Sequence, residues 1–419
     1  MSSSDSLPAL KTVERLLRET TERIAAECGQ PTSAAPQWSD SHWCIAQAVA
    51  AIHGVSPLLS RRLPWCGPHA WQQFLSEQWQ QTFTRQRALA GLIARIDAQA
   101  RDVGFPITAL KGAALHELSI YQPGMRPMAD LDLLVHDHDA AATVTVLEGL
   151  GYQEIYRTRR ERVFQPHAYR HGASFGESAQ HALKVELHTR IAERLPIREV
   201  DITDMVLPRR GNAGIQHYDS LAALMTHLLL HAAGNIRCRA MRLIHLNDIG
   251  ALAARLSSDD WWDVLGDRSA HWWAYPPLAL TARYFPSAVP SDVLSRASAA
   301  CPSRLRRIVQ QQRLSDVSMS HLWMEFCPGI EWCGSIQEKL RFIGARVFPD
   351  AGTRAEIRIN EATSDWTTNS SWTRLSRPRR MLRWALSRTP RVTTMWSVRE
   401  AWRQGGRSHR SMQSASLTR

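Results

Sequence analysis

Apolar residues recur at three- and four-residue steps along 69–101: Trp71, Phe74, Leu75, Trp79, Phe83, Leu89, Leu92, Ile93 and Ile96. That spacing predicts a long amphipathic helix with its aromatics in a core, stopped by Gly104 and Pro106. Helices are also expected over 7–28 and 42–53, with a Pro/Ser/Ala-rich linker between them. The period then changes from helical to strand-like. A first strand is expected over 107–110, then a short helix over 113–120. In the next strand, 130–135, Leu131, Leu133 and Val135 point into a core while Asp130 and Asp132 share the opposite face. A helix over 139–150 ends at Gly151, and a strand over 152–156 follows. The run 183–188 repeats the alternation, with Val185 and Leu187 inward and Lys184, Glu186 and His188 opposite. From 221 to 348 the pattern is helical throughout, and 350–372 reads as a polar, Ser/Thr-rich linker.

Length divides this pattern into units. A chain of 419 residues holds two or three. The expected organisation is a helical region over 1–100, an α+β core over 101–205, a helical domain over 206–349, and a linker with a basic tail over 350–419. Apolar residues make up 44% of the chain, which marks a globular rather than a disordered protein. The longest apolar run, 221–234, is short and broken by Thr226, His227 and His231, so no membrane-spanning helix is expected. The first residues lack a basic-then-apolar signal pattern, and a cytoplasmic location is expected. Seven scattered cysteines fit no common zinc spacing.

Charge is uneven. Only four of the 51 basic residues are lysines, and two of these, Lys111 and Lys184, flank the acidic strands. From Arg374 onward there are twelve arginines and one acid, Glu400, so nearly all of the +12 net charge lies there. The tail is therefore expected to be solvated and separable. Its amphipathic segments around Leu382 and Trp396 offer contacts to anionic lipid or nucleic acid. A second arginine run, Arg157, Arg159, Arg160 and Arg162, reads first as solvated charge and second as a phosphate site.

The candidate chemistry lies between residues 110 and 188. Two carboxylates on one strand face repel unless a cation sits between them, and oxygen ligands of this kind suit Mg²⁺. The sequence carries Leu110-Lys111-Gly112, Tyr121, Gly124, Arg126, Asp130, Asp132, Gly151-Tyr152 and Glu186-Leu187-His188 in that order. This series resembles the bacterial nucleotidyltransferase family proteins of the DNA polymerase β-type superfamily, over about residues 85–265. Ala113 departs from the wider superfamily, which usually has Ser there, and the gap between Gly112 and Asp130 is longer than usual.

The resemblance implies a polymerase β-type α+β sheet flanked by N- and C-terminal helical regions. It also implies transfer of a nucleoside monophosphate from an NTP to an unidentified small-molecule, peptide or protein acceptor. Asp130, Asp132 and Glu186 become the expected catalytic residues and ligands of Mg²⁺ or Mn²⁺. Lys111, Gly112 and Arg126 become the expected nucleotide-binding residues. His188 shares the face of Glu186 and is placed to orient the acceptor or a ligand. Asp248 matches a recurrent Asp of the family's helical region, with capping or acceptor binding as its open roles. His227 and His231, one turn apart, read as structural before metal-binding. A tailoring enzyme of a peptide or polysaccharide gene cluster is the first functional expectation. Toxin–antitoxin-type protein nucleotidylation and a non-catalytic nucleotide-binding protein are the alternatives.

Overall fold

The computed structural model describes residues 7–158, 161–169, 174–207, 212–266, 271–363 and 375–416. Arg159 and Arg160 of the second arginine run lie outside these. The fold is mixed α+β, built on a six-stranded sheet in the order β3-β4-β5-β2-β1-β8. The strands are β1 Pro106–Ala109, β2 Asp130–Leu134, β3 Tyr152–Arg157, β4 Glu161–Pro166, β5 Lys184–His188 and β8 Gly214–Gln216. A separate hairpin pairs β6 Ala192–Leu195 with β7 Arg198–Asp201. The central strands β2 and β5 run parallel, whereas β1 and β4 flank them antiparallel.

The period-two alternation decides which face is covered. Leu131, Leu133, Val135, Val185 and Leu187 are at most 1% exposed and share one core with Leu89, Leu92, Ile96, Val146 and Leu147. The His69–Val103 and Ala140–Gly149 helices thus cover one face of the sheet. Gly104 closes the first of them in the left-handed conformation (φ 93°), as a C-terminal glycine should.

The other face looks toward two helices of the C-terminal half, Leu221–Cys238 and Leu243–Ala253. Ser220 starts the first, its side chain accepting a hydrogen bond from the Ala223 amide. These helices share a single large core with the Leu10–Gly29 and Asp40–His53 helices from the start of the chain. No single helix among the described residues is long and apolar enough to cross a membrane.

Two expectations are corrected. The segment expected as a polar linker begins with a helix, Ala351–Thr363; residues 364–374 lie outside the described ones. The tail was expected to be solvated, yet its last helix, Val392–Ser416, packs on Asp40–His53 and buries Met395, Val398 and Ala401. Arg391 fixes its start by donating to the carbonyls of Ser318 and Arg239. Composition misled because the arginines lie outside a short apolar stripe, and one stripe suffices to dock a helix. The strands β6, β7 and β8 had no strong alternation to betray them.

Candidate active site

The site is built by register. Parallel pairing of β2 with β5 sets Asp130 opposite Lys184, Asp132 opposite Glu186 and Leu134 opposite His188. Asp132, Glu186 and His188 each offer a ligand atom, and all three atoms lie within 4.8 Å of one another. His188 Nε2 is 3.1 Å from Asp132 Oδ1 and 3.9 Å from Glu186 Oε2. On its other side, Nδ1 lies 4.0 Å from Glu161 at the start of β4. Lys111 reaches over from the end of β1, with Nζ 2.7 Å from Asp132 Oδ1.

Crowding of like charges dominates the electrostatics. Burial raises the Glu186 carboxyl, and Asp130, Asp132 and Glu161 raise it further, to about 10. Burial and Asp132 also raise Asp130, which shares a hydrogen bond with Glu186. Burial acts upward on Asp132 as well, but Lys111 and His188 outweigh it and hold this carboxyl well below the usual range. For Lys111, burial favours the neutral amine, yet Asp132 and Glu186 keep it firmly protonated. The acids of the cluster thus crowd one another more than Lys111 offsets, which favours the protonated forms of Glu186 and Asp130. A carboxylate-rich set with one imidazole fits a divalent cation, whose charge would favour the ionised forms instead.

The backbone at Lys111 is unusual. Its φ is 44° with ψ −109°, a conformation a side chain rarely adopts. Its amide donates to the Tyr218 hydroxyl, which in turn is hydrogen-bonded to His227 Nδ1 2.7 Å away. The sharp turn after β1 is therefore made by Lys111 and not by the glycine that follows it. Gly112 is needed for a different reason: a Cβ there would lie 2.4 Å from both Arg126 Nη1 and Met128 Sδ.

Arg126 lines the cavity above the acids, and within the protein its fork is already engaged. Its Nε and Nη2 donate to the two oxygens of Asp248 at 2.8 and 2.7 Å, in the core. Asp248 also accepts from the Tyr121 hydroxyl, which receives the Asn247 amide. A carboxylate only 1% exposed requires such a countercharge. Asp248 lies inside the Leu243–Ala253 helix, so it does not cap it. It ties the Leu243–Ala253 helix to the loop before β2. Of the other two histidines, His227 bonds Tyr218, while the ring of His231 meets that of His245 edge-on at 5.1 Å.

Arg85 and Arg242 were not singled out in the sequence. Arg85 donates to the carbonyls of Met128, Ala129, His181 and Ala182, clamping the entries of β2 and β5 side by side. Arg242 donates Nε to Ile52 and lines a cavity of about 320 Å³ above the acids. That cavity also takes in Lys111, Gly112, Asp130, Asp132 and Glu186. His245 lines it too, its Nδ1 buried with no hydrogen-bond partner among the described residues. A second cavity of about 250 Å³ adjoins through Lys111, Glu186, His231 and Asn235, and reaches Glu161 and Arg237.

Fold and cluster together define a class: an α+β protein whose central strands carry an Asp/Glu/His set able to hold a divalent cation. Comparison of sequences names the family. Residues 39–288 match a family described as uncharacterised nucleotidyltransferase, and the chain belongs to that family. No protein of curated function and no solved structure matches the chain significantly.

Proposed function

We propose that the protein transfers a nucleoside monophosphate from an NTP to an acceptor held in the adjoining cavity. The observation that carries this reading is the β2–β5 register, which puts Asp132 beside Glu186 at the floor of a cavity in a chain of nucleotidyltransferase family. Asp130, Asp132, Glu186 and His188 are the residues that would hold divalent cations. Mg²⁺ or Mn²⁺ there would neutralise charge on the entering and leaving oxygens. Lys111 and Arg242 offset the charge of the triphosphate, Lys111 as a point charge and Arg242 as a fork. Arg126 keeps its place as a positioning residue, holding the loop before β2 through Asp248. With a cation bound, Glu186 would be ionised and would accept the proton of the attacking acceptor, pyrophosphate being released.

The reading is tested by incubating the protein with each α-labelled NTP, Mg²⁺ or Mn²⁺ and cell extract, and locating the label. Label on a metabolite, peptide or polysaccharide supports a tailoring enzyme, and label on one protein supports protein nucleotidylation. Metal-dependent nucleotide binding with no transfer to any acceptor would favour a non-catalytic binding protein. Label transfer that survives Asp132→Asn unchanged would contradict the assignment of the site.

A further inference from the structure

One face of the molecule combines exposed aliphatic groups with dense positive charge. The Ile336–Val347 helix buries none of its residues. Ile336, Leu340, Ile343 and Val347 nevertheless fall at the four-, three- and four-residue steps that make one stripe of a helix. Ile336 and Leu340 are 75% and 64% exposed, and Phe348 just beyond is 82% exposed. The helix contains one acid, Glu338, and this is turned away into a 3.0 Å ion pair with Arg198. Lys339, Arg341 and Arg346 supply the positive charge.

A second helix, Arg377–Leu386, repeats the pattern. Leu382 and Leu386, one turn apart, are 59% and 76% exposed, with exposed Arg379 and Arg383 in the same stripe. The stretch 375–388 holds five arginines and no acid. The two helices meet at Phe326. Its ring takes Trp384 edge-on at 5.9 Å, and its carbonyl accepts from Arg346 Nε. On the helix between them, Ala351–Thr363, Ile357 is exposed beside Arg354 and Arg358.

We infer that this face docks the protein on an anionic lipid surface, with Ile336, Leu340, Phe348, Leu382 and Leu386 entering the headgroup boundary and the arginines meeting lipid phosphates and carboxylates. The combination selects the ligand. Aliphatic side chains gain nothing from a nucleic-acid backbone, which calls for cations with polar or planar partners. A second copy of the same face would set arginines against arginines. An anionic bilayer satisfies both halves at once, taking the apolar groups into its boundary and the cations at its surface. Neither helix contributes to the acidic cavity, so the inference stands apart from the transfer chemistry.

The test is co-sedimentation of the full chain with vesicles of phosphatidylcholine alone or mixed with phosphatidylserine. Binding is expected to the mixed vesicles only, strong at about 50 mM salt and weak at about 500 mM. The Arg379→Glu/Arg383→Glu variant should lose roughly fivefold or more in partitioning for each charge removed. The Leu340→Glu/Leu382→Glu variant should lose at least as much, with circular dichroism unchanged because all four side chains are exposed. Absence of binding to the mixed vesicles would overturn the inference, as would equal binding by the leucine variant. Two further results would overturn it in favour of another occupant. One is tight oligonucleotide binding that the leucine variant retains. The other is a dimer in sedimentation velocity that the leucine variant dissolves.

Discussion

Two arginines line the acidic cavity, and only one of the two was marked by the sequence. Arg126 lies four residues before Asp130 and so invited a phosphate role, but Asp248, 122 positions away, occupies its fork. Arg242 has no motif around it, and it lines the same cavity as Arg126. No local pattern distinguishes them, because the deciding partner is distant in sequence. The acids were legible for the converse reason: a strand's period of two fixes which of Asp130, Leu131 and Asp132 share a face, whatever the fold beyond. The distinction is measurable. Arg126→Ala strands a buried carboxylate and should cost about 3–5 kcal/mol of stability, seen as a lower urea midpoint. Arg242→Ala should leave the unfolding free energy within about 1 kcal/mol of the wild type while weakening NTP binding by about 1–3 kcal/mol. The reverse pattern, an unstable Arg242→Ala and a stable Arg126→Ala that fails to bind NTP, would restore the phosphate role to Arg126.

Elements with strong periodicity were legible, and weakly patterned ones were not. Helices 7–28, 42–53 and 69–101 were expected, and the structure has Leu10–Gly29, Asp40–His53 and His69–Val103. The three-residue strand β8 escaped notice because it is too short to show alternation, though it extends the sheet beside β1 in parallel. The last helix was misjudged because its buried apolar stripe, Met395, Val398 and Ala401, is only three residues in a tail rich in arginine. Full burial of a Met or Val side chain contributes about 1.5–3 kcal/mol each. Truncation after Ser387 should therefore lower Tm by roughly 5 °C or more and reduce soluble yield, measured by scanning calorimetry. An unchanged Tm would show the helix to be dispensable, as its composition first suggested.

At the scale of the molecule, buried histidines join segments that are far apart in sequence. His53 Nδ1 accepts from the Leu243 amide, and its Nε2 pairs with Ser320 Oγ, so three parts of the chain meet at one ring. Burial lowers His53 to about 3, aided by Arg242, and lowers His116 to about 4, aided by Arg126. Both stay neutral in the folded chain and take up protons when unfolded below about pH 6.5. Their effect is absent above that pH; as pH falls toward 4, stability drops by up to about 1.4 kcal/mol per unit for each ring. His53→Gln should flatten this slope in urea titrations between pH 6.5 and 4, and an identical slope would exclude His53 as its source. The same long-range assembly brings the acids of β2 and β5 under the Leu221–Cys238 and Leu243–Ala253 helices. Isothermal titration of a non-hydrolysable NTP analogue into the wild-type protein and into Asp132→Asn, each with and without Mn²⁺, tests the proposed metal site most directly. The account predicts binding by the wild type that requires the metal, and a loss of about tenfold or more in Asp132→Asn, as expected when a metal ligand is removed. Equal, metal-independent binding by both proteins would contradict it.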